Sequence, residues 1–472
     1  MTIKPMPPGG LTTGAPIVIV GAGAAGFCAA LSAREAGVDV VVLERDSVPR
    51  GSTALSAGLI PAAATRFQKA LGIVDSPALF AADIQRKAHS EADTAVVKSV
   101  AQEAGPTIEW LADCYGFPFS VVHDFDYPGH SARRMHGLPT RSGVELIDRL
   151  RQTADEAEIP LILNATVGAL YAGADHVIRG VEITRPDGTR DALACQALIL
   201  ACSGYGGATD LVARHIPEMR GASYFGHSGN RGDAVLWGES LGAELVHMSG
   251  YQGHGSVAHP HGVLITWAVI MGGGFQVNSK GVRFSNESAG YSEQAAVVLA
   301  QPGGIAFDIF DERIAAIARQ FADFREAEAC GAVIGASTVA LLAERLNLPQ
   351  AALAQSFAEV EETKRTDKED RFGRSFAGAA PLSPPFKAVR VTGALFHTQG
   401  GLAVDEEART LSAQGGRLPN LFAAGGAAAG VSGSLASGYL SGNGLLTATV
   451  LGRIAGRSAA NFVKRSAAKS SI

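Results

Sequence analysis

Between residues 16 and 44 the apolar pattern changes period twice. "PIVIV" is a continuous apolar run of strand length, "GAGAAG" is a glycine turn, "FCAALSAREAG" carries helical spacing up to Gly37, and "VDVVVLE" is a second apolar run closed by Glu44. That order predicts a strand–helix–strand unit with parallel strands. Amphipathic helices are expected over 95–115 and 143–157. The stretch 160–202 reads as strands joined by turns, with "PDGT" as its hairpin signal. From 249 to 396 the pattern becomes loops mixed with helices, including "GASTVALLAERLNLPQAALAQSFAEVEETKR", and from 397 the glycine-rich strand character returns. The chain contains no tandem repeat. These shifts predict an α/β domain split in sequence, with a second domain inserted into it.

Composition narrows the picture. A chain of 472 residues can bury two sizeable cores. A net charge of −5 without a basic tract argues against a nucleic-acid partner. Glycine is over-used at 57 residues, much of it in clusters, as expected where backbone packs close to a ligand. The five cysteines, Cys28, Cys114, Cys195, Cys202 and Cys330, are scattered without CxxC spacing. They read as reduced thiols of a cytoplasmic protein. The opening "MTIKPMPPGGLTTGA" has no apolar signal-peptide core, no run suits a membrane span, and no metal site is expected. The first fifteen residues and the tail "KRSAAKSSI" are expected to be mobile.

Gly21, Gly23 and Gly26, with Ala24 and Ala25 between them, form a GxGxxG turn between strand and helix. Such a turn lets a pyrophosphate approach the helix N-terminus, and Glu44 at the end of the next strand can accept hydrogen bonds from ribose hydroxyls. A bare GxGxxG is a weak signal; in this complete context it is a strong one. Three further segments favour FAD over NAD: "RGSTALSAG" (50–58), "ALILACSGYGG" (197–207) and "LPNLFAAGGAAAGVSG" (418–433).

Together with "GNRGDAVLWGESLGAEL", "GVRFSNES" and "FHTQGGLAVDEEARTL", these segments resemble the flavoprotein family of soluble fumarate reductases and 3-ketosteroid Δ1-dehydrogenases over about residues 16–462. The resemblance implies a Rossmann-like FAD-binding domain split in sequence (1–248 and 397–472), an inserted α+β capping domain (249–396) that closes over the substrate, and non-covalent FAD. It implies cofactor contacts from Gly21, Gly23, Ala24, Ala25, Gly26, Glu44, Arg45, Ser52, Thr53, Ser56, Ala57, Gly58, Val167, Ser203, Gly204, Asp233, His397, Gly425, Gly426, Ser441, Gly442 and Leu445. Asp233 reads equally as the cap of the helix that follows. Gly426 is a departure, since the family has an acid or amide there.

The site departs from the reductase pattern in a consistent way. Where the reductases carry a proton-donating arginine after the Arg-Phe-x-Asn-Glu motif, this chain has Tyr291. Where they carry Glu and Arg in the cap, it has Trp267 and Ile270, and the late segment "GVSGSLASGYLSGNG" has no arginine. His254 and His397 persist. The ketosteroid branch has tyrosines matching Tyr291 and Tyr439, so the resemblance leans that way. It implies that Tyr291 removes the α-proton of a ketone, that Tyr439 and a backbone N–H at Gly442 hold the carbonyl oxygen, and that the flavin takes the β-hydride. A packing role remains open for both tyrosines, and a core role for His254. "HSARRMHG" (130–137) supplies Arg133 and Arg134. Facing the pocket, Arg134 would suit a carboxylate such as that of an oxocyclohexane carboxylate; facing solvent, these arginines leave a neutral cyclohexanone or a 3-oxosteroid. The expected partners are a small ketone and an unidentified electron acceptor. The alternatives are an ene reductase of an unsaturated acid and a flavin-binding protein without turnover.

Overall fold

The structure, a computed structural model, describes residues 2–123, 127–366 and 368–470. The chain divides into two compact units. One comprises 1–216, 225–251 and 397–472; the other comprises 217–224 and 252–396. The second unit thus begins at Gln252, not at 249, and takes in the short segment from Pro217 to Tyr224.

The first unit is built on a sheet whose centre is the unit anticipated from the apolar periodicity. Gly14–Val20 lies between Val40–Leu43 and Arg190–Leu200, parallel to both, and Arg417–Ala423 runs parallel to Arg190–Leu200 on its far side. Ile17, Val18, Ile19 and Val42 are fully buried, as a parallel strand covered on both faces requires. Thr166–Ala172, Ile178–Thr184 and Arg190–Leu200 form an antiparallel run, with "PDGT" at its second turn. The helix Ala24–Glu35 covers one face. Against it lies the terminal helix Asn443–Ser470, so closely that a Cβ on Gly452 or Gly456 would stand 2.5 or 2.0 Å from the carbonyls of Ala25 and Ala29. The expected amphipathic helices are Thr94–Tyr115 and Gly143–Glu156.

Regular elements form within both ends that were expected to be mobile. Thr2–Lys4 is a strand parallel to Thr166–Ala172, held by Lys4 Nζ on Glu182 at 2.8 Å. The terminal helix runs on into the tail as far as Ser470, past Val463, its last buried core residue.

The second unit is a largely antiparallel sheet. Phe386–Thr398 lies beside Ile305–Asp311, which pairs with Phe275–Asn278, and Val333–Ala336 and Ser223–Tyr224 add to the same strand. Helices including Glu312–Ala318, Val339–Leu346 and Gln350–Thr366 cover it, around buried Phe275, Phe310, Phe324 and Val389.

Candidate active site

The glycine turn of the first unit is shaped for a bound diphosphate. A Cβ on Gly21 would lie 2.5 Å from the Ala201 carbonyl, and one on Gly26 would lie 1.9 Å from the Gly21 carbonyl, so both glycines are required by the protein itself. Gly23 differs. Its nearest neighbour would be Thr53 Oγ1 at 3.4 Å, so its open side faces space that a ligand can enter. Gly23 is the N-cap of the helix and brings no capping side chain, which leaves first-turn N–H groups for an anion. Thr53 Oγ1 accepts from Ala24 N–H at 3.1 Å and keeps its own proton to donate. The Glu44 carboxylate accepts Ala22 N–H (2.9 Å) and Asp46 N–H (3.1 Å), fixing its orientation while lone pairs remain for ribose hydroxyls. This donor set fits FAD.

Other expected contacts serve the walls of that cleft. Ser52 Oγ accepts from His227 N–H and Asn230 Nδ2, and Ser56 Oγ bridges Thr53 O and Gly58 N–H. Ala57 is exposed and Gly58, at φ +65°, closes that turn. Val167 is buried in its strand. Arg45 pairs with Asp233. Asp233 does not cap its helix as one alternative had it: Gly232, at φ +77°, is the N-cap, and Asp233 is the first helical residue. The turns at Ser203–Gly204 and Gly425–Gly426 pack backbone to backbone beyond the ends of adjacent parallel strands. A Cβ on Gly426 would meet Gly204 N at 2.9 Å.

The late glycine loop of the same unit holds Tyr439. Its ring is 7% exposed and meets the His397 ring edge-on at 5.3 Å. Burial pushes its phenol up to about 12, partly offset by backbone N–H groups of Gly444 and Gly442 acting on its oxygen. Tyr439 therefore stays protonated near neutrality and is a hydrogen-bond donor. Gly442, expected as a separate backbone donor to substrate, turns at φ +87° three residues after Tyr439. His397 ends a directed chain that the sequence did not disclose. Asn443 Nδ2 donates to Ser432 Oγ (3.0 Å), Ser432 Oγ donates to Gln399 Oε1 (2.6 Å), and Gln399 Nε2 donates to His397 Nδ1 (2.8 Å). The His397 proton is thereby on Nε2. Burial holds this imidazole neutral, down to about 4. Ser441 is buried, and Leu445 stands in the first turn of the terminal helix.

In the second unit Tyr291 opens the helix Tyr291–Leu299. Its ring stacks on His254 (5.1 Å, 22°), and His254 also meets Trp267 at 5.4 Å and Phe396 at 5.6 Å. Ser256 N–H donates to His254 Nδ1 at 3.1 Å, which leaves the proton on Nε2. Burial drives its pKa down to about 3, so it is neutral. The helix can approach this strand because Gly255 lacks a side chain: a Cβ there would lie 2.7 Å from the Gln294 side chain. Arg283 and Glu287 of the preceding motif are buried with Arg374. Glu287 accepts from Gln276 N–H and from both guanidinium groups, and Arg283 also pairs with Asp370. The motif is thus an internal anchor for the segment that carries Tyr291.

Two expected substrate contacts are corrected. Ile270 is fully buried and its carbonyl accepts from Arg374 Nη2 at 2.8 Å, so its side chain is core. Arg134 is 1% exposed and lines a hollow beside His130 and Met135, but its charge is already taken up. Its guanidinium is bidentate on Asp75 (3.0 and 2.8 Å) and donates to Asp83 at 2.5 Å. A buried guanidinium needs such carboxylates, and two of them leave no charge for a substrate anion.

A family profile described as FAD binding domain matches residues 16–445, and the chain belongs to that family. It is an FAD-dependent oxidoreductase of the class acting on CH–CH bonds. It is 29% identical over 444 residues to a probable fumarate reductase of Shewanella frigidimarina, covering 94% of this chain and 74% of that one. Among solved structures it is similar to an open-conformation flavocytochrome c3 fumarate reductase (TM-score 0.81, 29% identity, 96% of this chain and 79% of that one). It shares the fold of the 3-ketosteroid-Δ4-(5α)-dehydrogenase of Rhodococcus jostii (TM-score 0.78, 24% identity, 97% and 100% covered). An overall identity of 24–29% does not choose between branches that differ in a few site residues.

Proposed function

We propose that this flavoprotein is an α,β-dehydrogenase of a neutral cyclic ketone, of the cyclohexanone or 3-oxosteroid kind. The observation that carries the reading is the surroundings of Tyr291: an uncharged imidazole stacked on it and an indole edge-on, with a phenyl ring against that imidazole, and with Arg283 and Arg374 of the same unit committed to Glu287 and Asp370. A dicarboxylate requires cations; an alicyclic ring suits aromatic walls. Arg134, neutralised by two aspartates, removes the main reason to expect a carboxylate on the substrate.

In the proposed reaction Tyr439 O–H donates to the ketone oxygen, which acidifies the α C–H as negative charge grows on that oxygen. Tyr291 first releases its own proton to solvent; the α-proton then passes to the phenolate oxygen, regenerating the phenol, and the C–H electron pair becomes the new π bond as hydride leaves the β-carbon. Bound FAD supplies the hydride acceptor. A phenol with an ordinary pKa of about 10 is only sparsely ionised near neutrality, so desaturation by the phenolate should quicken as pH rises and depends on strong polarisation of the carbonyl. Unpaired thiols throughout the chain suit a reducing compartment such as the cytoplasm, and the final electron acceptor is a separate molecule.

The second reading, an ene reductase of an unsaturated acid, is favoured by 29% identity to a protein named as a probable fumarate reductase. Anaerobic mixing of the oxidised holoprotein with saturated cyclic ketones and steroids separates the two. Bleaching of the flavin band by a ketone supports the dehydrogenase. Bleaching by no ketone, with reoxidation of reduced protein by an enoate, establishes the reductase. Silence toward both leaves a flavin-binding protein without turnover.

A further inference from the structure

The segment "HSARRMHG" is unused by the reaction above, yet its first residue touches the late glycine loop. His130 Nε2 lies 2.9 Å from the Ser441 carbonyl oxygen, so it carries the proton and donates. On the other side of the ring, Nδ1 accepts from Arg134 Nη1 at 3.4 Å. Arg134 is locked by Asp75 and Asp83, and Asp83 also accepts Ser131 N–H at 2.8 Å. The guanidinium can only donate, so it fixes the imidazole in the tautomer that donates to Ser441. Ser441 stands between Tyr439 and Gly442, whose N–H acts on the Tyr439 oxygen. The His130 ring also borders a hollow of about 340 Å³, lined by residues such as Val122, Arg134 and Met135.

We propose that His130 is a positioning residue: its hydrogen bond to the Ser441 carbonyl holds the Tyr439–Gly442 loop in the geometry that presents the Tyr439 O–H to a developing oxyanion. The proposal rests on the reading of Tyr439 as the carbonyl donor. The segment then acts as a buttress built from an ion triad, and the triad sets the tautomer of the ring that bonds the Ser441 carbonyl. A donor held in place before reaction stabilises charge without reorganising, so loosening it should lower rate and oxyanion affinity together.

The test uses the holoprotein and two readouts: steady-state kinetics on a ketone that bleaches the flavin, and absorbance titration with 4-nitrophenol as an oxyanion mimic that needs no turnover. His130→Phe keeps a ring and removes the donor. Its 4-nitrophenol affinity and kcat should each fall about tenfold, the effect of one polar contact of about 1.4 kcal/mol, with FAD content and Tm near parental. His130→Gln places an amide N–H where Nε2 stood and should recover most of both. His130→Asn is polar but too short and should not. If the Phe variant loses FAD, the Gln and Asn pair decides: recovery by Gln alone supports the strut, and equal behaviour of the two overturns it. Parental binding and kcat in His130→Phe also overturn it. Tyr439→Phe separates this from the underlying reading. If it binds 4-nitrophenol like the parent, the role of Tyr439 itself fails. If it weakens binding while the His130 variants do not, only the strut fails.

Discussion

Glu287 lies at the centre of a buried ion cluster in the second unit, and Glu287→Gln tests what the Arg-Phe-x-Asn-Glu motif does. Its carboxylate is fully buried and accepts four bonds: Gln276 N–H at 2.9 Å, Arg283 at 3.2 and 2.9 Å, and Arg374 at 2.9 Å. Burial alone would raise its pKa, but Arg374 and Arg283 outweigh that and hold it below the usual carboxylate range. With Asp370 the cluster is two cations against two anions. Glutamine keeps the shape but leaves one guanidinium charge uncompensated and turns an amide NH2 toward donors. Breaking a buried pair in this way costs about 3–5 kcal/mol. At roughly 2–4 °C per kcal/mol for a unit of this size, calorimetry should show its transition lowered by about 6–20 °C. Glu287→Met with Arg374→Met removes both charges. Its cost should be smaller, about 1–3 kcal/mol, mostly from the Ile270 carbonyl left without Arg374. A Glu287→Gln protein melting within about 2 °C of the parent, or a double variant less stable than the single, would refute the view of the motif as a buried electrostatic anchor.

Other outcomes follow from the same geometry. Tyr291→Phe keeps the ring stacked on His254 and should lower desaturation about a hundredfold or more with unchanged FAD content, whereas near-parental turnover would leave Tyr291 a packing residue. Tyr291→Arg should abolish desaturation without yielding fumarate reduction, since Trp267 and the buried Ile270 supply no cation; product analysis checks both. Gly26→Ala drives a Cβ to 1.9 Å from the Gly21 carbonyl and should cost both FAD and apoprotein stability, while Gly23→Ala should cost FAD alone; equal apoprotein melting of the two would contradict this. Acid should destabilise the fold between about pH 6.5 and 4. Burial pushes His130, His136 and His397 down to about 4 and His254 to about 3, so the unfolded chain binds more protons in that window and their contribution, full above pH 6.5, is lost as pH falls. Asp308, raised by burial to about 7, opposes this by one proton. Urea midpoints should therefore drop from pH 7.5 to 5, and a rise would refute the sign.

The local order of the chain was enough for the nucleotide site. A glycine turn between an apolar strand and a helix, with an acid ending the next strand, has one economical geometry, and Gly21, Gly26 and Glu44 stand as that geometry requires. Sequence also singled out Tyr291 and Tyr439, through the resemblance of their segments to the ketosteroid branch of the family. It did not determine which charges are spent on one another. Arg134, Ile270 and Asp233 looked like ligands in isolation. Their partners Asp75, Asp83, Arg374 and Arg45 lie 59, 51, 104 and 188 positions away, and no periodicity encodes such pairings. The chain from Asn443 through Ser432 and Gln399 to His397, and the reach of His130 to Ser441 across 311 positions, were equally silent. Secondary structure follows from neighbours along the chain. Whether a buried ionic group is a site or a strut depends on what the fold brings within three ångströms of it, and only the tertiary structure decided that.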